Sequence, residues 1–305
     1  MASHEPITIG LPFFNCEATL TSALQSIFAQ TDRDWELLLV DDGSTDGSLR
    51  IARQVVDPRV TVISDGINRG LPDRLNQIAA FSQRRYLARM DGDDLMHPER
   101  LRRQREFLDR HPEVDAVGSP AFIIDARDQV TGRRGDARFD PSPRAVLEHG
   151  LFIHPTVMGR GDWFRAHPYD SRFVRGEDRE LWCRAAGQAT FARLDDPLLF
   201  YREPEDLNLG NYLQSCATDR RIFQQYGPPV VGRGRTRTLI ARSYLKDTCY
   251  RTASLSGSAS VLVRRRNRAL TETDHRAATA IVDQVLATMV PGLSSSTAHC
   301  CGTEA

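Results

Sequence analysis

Residues 86–101 read YLARMDGDDLMHPERL, an apolar run followed at once by an acidic cluster. Asp91, Asp93 and Asp94 fall within four positions. Carboxylates this close repel one another, so the stretch gains little from them unless a positive charge lies nearby. The pattern indicates a bound cation at the end of a strand.

Strand and helix signals alternate on both sides of this stretch, from the N-terminus to about residue 120. Apolar strand segments are predicted at 7–14, 35–40, 60–63 and 85–90, and helical spacing at 19–30, 48–56 and 71–82. A further helix is predicted over 97–111, with Pro98 at an early helical position. This alternation predicts an α/β fold with a parallel sheet and crossover helices.

The pattern loosens after residue 114. One or two strands are predicted in 114–125, a polar hairpin or loop in 127–136, and two final strands in 190–203. Short helices are predicted at 142–150 and 177–187, ended by Gly150 and Gly187. Beyond about residue 205 the signals are mainly helical, including 271–290 with a cap at Thr271 and Asp274.

The composition is that of an ordinary globular protein. With 40 basic and 40 acidic residues the formal net charge is zero, so bulk electrostatics indicates neither a nucleic-acid nor a membrane partner. Six cysteines without CxxC spacing predict free thiols in a reducing cytosol. The sequence shows neither a secretory signal pattern nor an apolar run long enough to cross a bilayer. We therefore expect a cytoplasmic protein.

One dense basic run occurs near the C-terminus. It comprises Arg264–Arg266 and Arg268. Two readings stay open: a solvated helix face, or peripheral attachment to anionic lipid on the inner membrane surface.

Two acidic clusters follow apolar strands. Asp41 and Asp42 follow 35–40, and Asp91 and Asp93 follow 85–90. Asp91 and Asp93 are two residues apart, so in extended backbone both project to one side, an arrangement suited to Mg²⁺ or Mn²⁺. Turn chemistry is the alternative for either cluster alone. An EF-hand fits poorly, since the loop positions that need Glu and Gly do not carry them.

Six segments, taken in order, resemble family 2 glycosyltransferases, which have the GT-A fold. They are GLPFFN (10–15), SIFAQTDRDWELLLVDDGSTDGS (26–48), NRGLPDRLNQ (68–77), ARMDGDDLMHPERLRRQ (88–104), HPTVMGR (154–160) and EDRELWCR (177–184). The resemblance implies a glycosyltransferase domain over 1–205, with a nucleotide-sugar half (1–115) and an acceptor half (116–205). Residues 206–305 then form a mainly helical extension of unassigned role, with a homodimer left open.

The resemblance also implies roles for residues on the donor side. Pro12 and Asn15 are expected in the loop beside the nucleotide. Asp42 is expected to accept a hydrogen bond from a uracil ring, with Asp41 lining the same edge. Arg69 is a candidate partner for phosphate, as is Arg202, although either arginine is equally well a solvated side chain.

For the chemical step, the resemblance implies that Asp91 and Asp93 form the family's DXD metal pair. Asp93 is expected to bind the metal directly, and Asp91 to reach the sugar, the ribose or a metal-bound water. Asp178 corresponds to the catalytic base, with Glu177 as the alternative. His154 faces the diphosphate or the acceptor, or is a structural histidine. Trp182 is expected in the core.

The implied activity is an inverting transfer of one hexosyl or N-acetylhexosaminyl group. The donor is a nucleotide sugar, with UDP favoured and dTDP and GDP open. The acceptor is a hydroxyl of a saccharide, lipid-linked sugar or other glycoconjugate. A QxxRW motif and membrane helices, which mark processive synthases of the family, are absent from the sequence. A non-catalytic nucleotide-sugar binder and a nucleotidyltransferase are the alternatives.

Overall fold

The computed structural model describes residues 5–135, 138–203, 208–255 and 267–293. The strands are β1 (Ile7–Phe13), β2 (Trp35–Asp41), β3 (Val60–Ser64), β4 (Tyr86–Arg89), β5 (Leu95–Met96), β6 (Ala116–Gly118), β7 (Ala121–Ile124), β8 (Val130–Arg134), β9 (Met158–Arg160), β10 (Phe191–Arg193) and β11 (Leu199–Arg202). The helices are α1 (Leu20–Phe28), α2 (Ser48–Gln54), α3 (Leu71–Phe81), α4 (Arg100–Arg110), α5 (Pro143–His149), α6 (Gly161–Ala166), α7 (Glu177–Ala185), α8 (Leu209–Leu255) and α9 (Glu272–Leu286).

The larger sheet has the order β10-β6-β9-β4-β1-β2-β3. Strands β3, β2, β1 and β4 are parallel, whereas β9 runs antiparallel between β4 and β6. Alternate residues of β2 enter the cores on opposite faces: Leu37 and Leu39 pack on one side, Leu38 and Val40 on the other. Burial on both faces explains why this strand is apolar nearly throughout. The predicted α/β fold with a parallel sheet is confirmed.

A second, smaller sheet has the order β5-β11-β7-β8. The β7–β8 hairpin confirms the hairpin predicted in 127–136. Helix α9 packs on this sheet, with Ala278 and Val282 against Leu95, Val130 and Phe200. Its predicted cap is confirmed, since Thr271 Oγ1 accepts from the Asp274 N–H at 3.1 Å. The C-terminal part therefore contributes to the core of the chain.

Helix α8 is a hairpin of two helical arms. Gly232 has φ 77° and ψ 160°, a conformation that breaks the helix and that glycine adopts without strain. Across the hairpin the rings of Tyr212 and Tyr250 stack at 3.7 Å, and Arg220 pairs with Asp247 at 2.8 Å. Within the described ranges, no helix is both long and apolar enough to span a membrane.

Some local predictions need correction. Helix α4 begins at Arg100, so Pro98 lies before it and not in its first turn. Pro12 lies inside β1 and is buried, not in the loop that follows. Strands β5 and β9 were not predicted, because two or three residues show no periodicity. The basic run at Arg264–Arg266 lies outside the described residues.

Candidate active site

Both acidic stretches end on one edge of the larger sheet, on either side of β1. The N–H of Asp42 donates to the Phe13 carbonyl at 2.8 Å, and that of Met90 donates to the Gly10 carbonyl at 3.0 Å. Because β2, β1 and β4 are parallel, the segments after β2 and β4 leave the sheet at its carboxyl edge, where α/β proteins bind ligands. The predicted clusters thus share an edge.

Asp42 is nearly buried and holds the loop before α3. Its Oδ1 accepts from the Arg69 N–H at 2.7 Å and from Arg74 Nε at 2.9 Å, while Oδ2 accepts from the Gly70 N–H at 3.0 Å. The Arg74 side chain is fully buried. A carboxylate that neutralises a buried guanidinium stabilises the fold. Contact with a nucleotide base therefore stays a prediction for Asp42.

The other residues expected beside the nucleotide mainly fix loops. Asp41 accepts from the Ser64 hydroxyl at 2.7 Å. Asn15 has φ 49°, which asparagine tolerates, and its Oδ1 accepts from the Thr45 N–H at 2.8 Å. The Arg69 side chain is half exposed and pairs with Asp65 at 2.9 Å. The loops after β1 and β2 are therefore held together before any ligand binds.

Asp91, Asp93 and Asp94 lie together after β4. Each offers a carboxylate oxygen, and these oxygens lie within 4.8 Å of one another. Gly92 lets this loop approach Cys16 closely, because a Cβ at position 92 would lie only 2.8 Å from Cys16 Sγ. The DXD stretch is therefore folded tightly against the loop after β1.

Arg202 fixes the shape of this acidic loop. Its side-chain Nε donates to the backbone carbonyl of Asp93 at 2.6 Å, and its backbone N–H donates to Asp94 Oδ1 at 2.8 Å. The guanidinium also donates to the Asp125 carbonyl at 2.7 Å and pairs with Asp128. With its donors used inside the protein, Arg202 positions the loop and does not present itself to a phosphate.

The carboxylate oxygens of this acidic loop are suited to bind a hard divalent cation. Asp94 Oδ2 is buried and has no hydrogen-bond partner in the described part of the chain. Burial, and then the charges of Asp93 and Asp91, raise the pKa of Asp94 well above its usual range. Desolvation, and then Asp91, raise the pKa of Asp93 to about 6. Crowded carboxylates, one of them with a buried and unpartnered oxygen, are the kind of oxygen ligands that Mg²⁺ and Mn²⁺ prefer.

A second cluster lies opposite the first and consists of His154, Glu177 and Asp178. Their ligand atoms lie within 4.8 Å of one another. His154 Nδ1 is 3.5 Å from Glu177 Oε1, and its Nε2 is 2.9 Å from the Tyr169 hydroxyl. Burial, and then the charge of Arg89, lower the pKa of His154 to about 3. This imidazole is therefore neutral at physiological pH.

Arg89 joins the two clusters. Its Nη1 donates to Asp91 Oδ2 at 2.7 Å, although the side chain is only 7% exposed. The charges of Asp91 and Glu177 contribute to raising its pKa against the opposing effect of burial. Burial raises the pKa of Asp178, and the charge of Arg89 partly opposes that rise. One buried cation thus acts on carboxylates from both halves of the chain.

Glu177 and Asp178 differ in exposure. Glu177 is 5% exposed and pairs with His154, whereas Asp178 stays partly exposed at the start of α7. Burial raises the pKa of both carboxyls. A base must reach a substrate hydroxyl, so the geometry favours Asp178 over Glu177. Trp182, one turn further, is fully buried as predicted.

Sequence reasoning missed Arg89 and Tyr169. Arg89 ends the apolar strand and gives no signal that separates a buried arginine from the many solvated ones in this chain. Tyr169 lies outside all six motif segments and reaches the site only through the fold. An arginine two residues before paired carboxylates was the one available hint for Arg89.

The sequence model of the family described as glycosyl transferase family 2 matches residues 8–168. The putative glycosyltransferase EpsE of Bacillus subtilis (strain 168) is 37% identical over 193 residues, which cover 60% of this chain and 68% of EpsE. The family model thus spans the strands from β1 to β4 and the acidic loop that follows.

Two kinds of solved structure share the fold. Staphylococcus aureus TarS 1-349, in complex with UDP-GlcNAc, has a TM-score of 0.60 at 16% identity, covering 92% of this chain and 80% of that one. Mannosyltransferase PcManGT from Pyrobaculum calidifontis, in complex with GDP-Man and Mn²⁺, has a TM-score of 0.55 at 17% identity, covering 93% and 86%. Against a longer TarS chain, this chain spans 43% of the length. The described fold is that of GT-A glycosyltransferases.

Proposed function

The chain belongs to glycosyl transferase family 2, and on that premise we propose that it is a metal-dependent, inverting enzyme that moves one sugar from a nucleotide sugar to an acceptor hydroxyl. The observation that carries the proposal is the position of Arg89. It pairs with Asp91 on the donor side and acts electrostatically on Glu177 and Asp178 on the acceptor side. A direct transfer needs the donor phosphate site and the acceptor base to lie near each other, and the shared cation Arg89 supports that arrangement.

Asp91 and Asp93 would hold Mg²⁺ or Mn²⁺, and Asp94 adds a third oxygen and charge to the same loop. Such a cation supplies Lewis-acid neutralisation of the charge on a departing diphosphate. The protein's own contribution is a rigid loop, since Arg202 fixes the Asp93 carbonyl and the Asp94 carboxylate. A loop held in place before binding loses little entropy when it binds its ligand.

Asp178 would accept the proton of the acceptor hydroxyl as that hydroxyl attacks the anomeric carbon. The carboxylate is partly exposed, and burial raises its pKa above the usual range, which makes it a better base than an ordinary aspartate. Neutral His154 lies beside Glu177, with its Nδ1 3.5 Å from Glu177 Oε1. In an inverting transfer the nucleotide leaves from the opposite face of the sugar, so one base suffices.

For the donor we propose a UDP-sugar of the hexosyl or N-acetylhexosaminyl type, and for the acceptor a hydroxyl of a saccharide or lipid-linked sugar. The complex of TarS with UDP-GlcNAc and that of PcManGT with GDP-Man and Mn²⁺ indicate that this fold binds both uridine and guanosine diphosphate sugars. Neither likeness selects one nucleotide for this chain. The donor panel in the test below therefore includes both.

The test measures nucleotide release from UDP-, GDP- and dTDP-sugars, with Mn²⁺ and with chelator. We expect release or transfer from one donor class that needs the metal and is lost in Asp93→Ala. Asp196→Ala, a change at an aspartate 60% exposed in a surface ion pair, serves as the matched control and should keep activity. Metal-dependent donor binding without turnover would indicate a non-catalytic binder. Nucleotide monophosphate transfer to an acceptor would indicate a nucleotidyltransferase, and either result would overturn the proposal.

A further inference from the structure

Helix α8 is strongly basic in a chain without net charge. It carries eight basic side chains and two carboxylates, a net charge of +6, whereas the whole chain has a formal net charge of zero. Both carboxylates are already paired, Asp219 with Arg179 and Asp247 with Arg220. The positive charge of α8 is therefore not compensated within the helix.

The second arm of α8, which follows Gly232, directs most of this charge to solvent. Four exposed arginines of this arm have no ion-pair partner in the parts of the chain that are described; they are Arg233, Arg237, Arg242 and Arg251. Arg235 differs from them, since it pairs with Glu148 of α5 at 2.7 Å. Lys246 also differs, because its charge acts on Asp219.

Two large apolar side chains lie among these arginines. Tyr244 is 58% exposed and Leu245 is 64% exposed. Arg237, Tyr244 and Arg251 follow one another at intervals of seven residues, which places them on one side of the helix. The Arg220 guanidinium, from the first arm, lies 4.3 Å from the centre of the Tyr244 ring. Arg233 lies on the same side, whereas Leu245 and Arg242 lie about 100° and about 160° round the helix from Tyr244, still within its exposed half. We name this exposed half of the second arm the basic face.

The opposite side of the same arm is packed against the protein. Leu239 belongs to a core cluster with Ile222 and Phe223, and Ser243 donates to the Cys216 carbonyl at 3.1 Å. The arm is therefore held in place before anything binds the basic face. The exposed side offers two features by which a helix is held at a membrane surface: basic side chains for anionic headgroups and apolar side chains for the interfacial region.

We propose that the basic face docks the protein on an anionic phospholipid surface, with the arginines at the headgroup phosphates and Tyr244 and Leu245 in the interfacial region. Charge complementarity supports this partner, since each arginine near an anionic bilayer adds to attraction. The exposed Tyr244 and Leu245 favour lipid over nucleic acid, which gains little from an aliphatic side chain among phosphate contacts. The basic face does not include the run at Arg264–Arg266, which lies outside the described residues, and the proposal does not depend on transferase activity.

The test is co-sedimentation of the full chain with vesicles of phosphatidylcholine alone or mixed with phosphatidylglycerol. We expect binding only to the mixed vesicles, and binding that weakens with added salt because salt screens surface charge. Replacing Arg233, Arg237, Arg242 and Arg251 together by Gln should reduce partition by more than about tenfold. Tyr244→Ser with Leu245→Ser should reduce it with little change in the salt dependence.

A matched control removes four exposed arginines elsewhere. Arg50, Arg110, Arg172 and Arg276 are 64%, 72%, 74% and 76% exposed and form surface ion pairs, so their replacement by Gln changes the net charge equally. The control should bind mixed vesicles almost as well as the unmodified chain. The proposal would be overturned if the control variant lost as much vesicle binding as the basic-face variant, or if the unmodified chain did not bind mixed vesicles at low salt. So would stronger binding to duplex RNA than to vesicles, with no effect of the Tyr244 and Leu245 changes.

Discussion

Arg89 and Asp91 form an ion pair of 2.7 Å in which the cation is nearly buried and the carboxylate is 24% exposed. The pair stands at the end of β4, where the parallel sheet gives way to the acidic loop. Burial of a guanidinium is unfavourable unless carboxylates compensate it. Arg89 is compensated by Asp91 directly and by Glu177 at longer range, so the first acidic cluster and the second depend on the same cation.

Arg89→Met should therefore destabilise the protein by about 3 kcal/mol, because it leaves carboxylates in a partly dry site without their counter-charge. Mn²⁺ should raise the melting temperature of this variant more than that of the unmodified chain, since the ion then supplies the missing positive charge. Thermal unfolding with and without Mn²⁺ measures both effects.

A control for Arg89→Met lies on the surface nearby. Arg85 pairs with Asp109, with both side chains substantially exposed, so Arg85→Met should change stability by less than about 1 kcal/mol. Equal melting temperatures for the two variants would contradict the role of Arg89. An equal response to Mn²⁺ in the variant and the unmodified chain would contradict the link to the metal site.

Asp178→Asn should reduce transfer by about 10²–10⁴-fold while donor affinity stays nearly unchanged, because the base acts on the acceptor and not on the nucleotide. Glu177→Gln should affect transfer less, since Glu177 is buried against His154. Single-turnover transfer and donor titration separate the two quantities. A loss of donor binding in Asp178→Asn, or a larger loss of transfer in Glu177→Gln, would show that the base is assigned wrongly.

The pH profile offers a second test of Asp178. Burial and the charge of Glu177 raise its pKa, whereas His154, the Arg179 N–H and Arg89 lower it, and the net shift is upward from 3.8. A base works only when deprotonated, so kcat/KM should fall as pH drops through this raised pKa. Arg89→Lys, which keeps the charge, should retain the profile, whereas Arg89→Met should move the acid limb to higher pH.

The parallel half of the fold was predictable because its strands are mostly apolar runs that alternate with segments of helical spacing. Strand β2 places Leu37 and Leu39 in one core and Leu38 and Val40 in the other, so nearly every residue of this strand has to be apolar. The antiparallel strand β9 has only three residues, and its pairing with β4 is set by tertiary contacts. Neither the strand nor its pairing can therefore be predicted from the sequence alone.

The carboxylates of the candidate site could be singled out from the sequence, whereas the roles of its arginines could not. Asp91 and Asp93 stand out through their two-residue spacing after a strand, and Asp178 stands out only through the resemblance of its segment to family 2 glycosyltransferases. Arg89 and Arg202 do not stand out, since an arginine is ordinarily solvated and only packing shows which one is buried. The expected role of Arg202 at a phosphate was reasonable by charge, yet its donors are used on backbone carbonyls and Asp128.

Asp42→Asn should lower the free energy of unfolding by about 2 kcal/mol, because it removes charged hydrogen bonds to the buried Arg74 guanidinium. Asp65→Asn is the matched control: Asp65 also binds Arg74 but is more exposed, so its loss should cost less. Urea unfolding measures both. Equal destabilisation would mean that the Asp42–Arg74 pair has no special role in holding the loop before α3.

His154 should make stability depend on pH. Its pKa is about 3 in the folded chain against 6.5 when unperturbed, so below pH 6.5 the unfolded chain takes up a proton that the folded chain refuses. Stability is therefore full above pH 6.5 and is lost as pH falls toward 3, by up to about 2 kcal/mol at pH 5. His154→Gln should show a shallower decline in melting temperature between pH 7 and 5, and His149→Gln, at an exposed site, controls for removal of an imidazole. Parallel declines in His154→Gln and the unmodified chain would mean that this histidine is not held neutral by the fold.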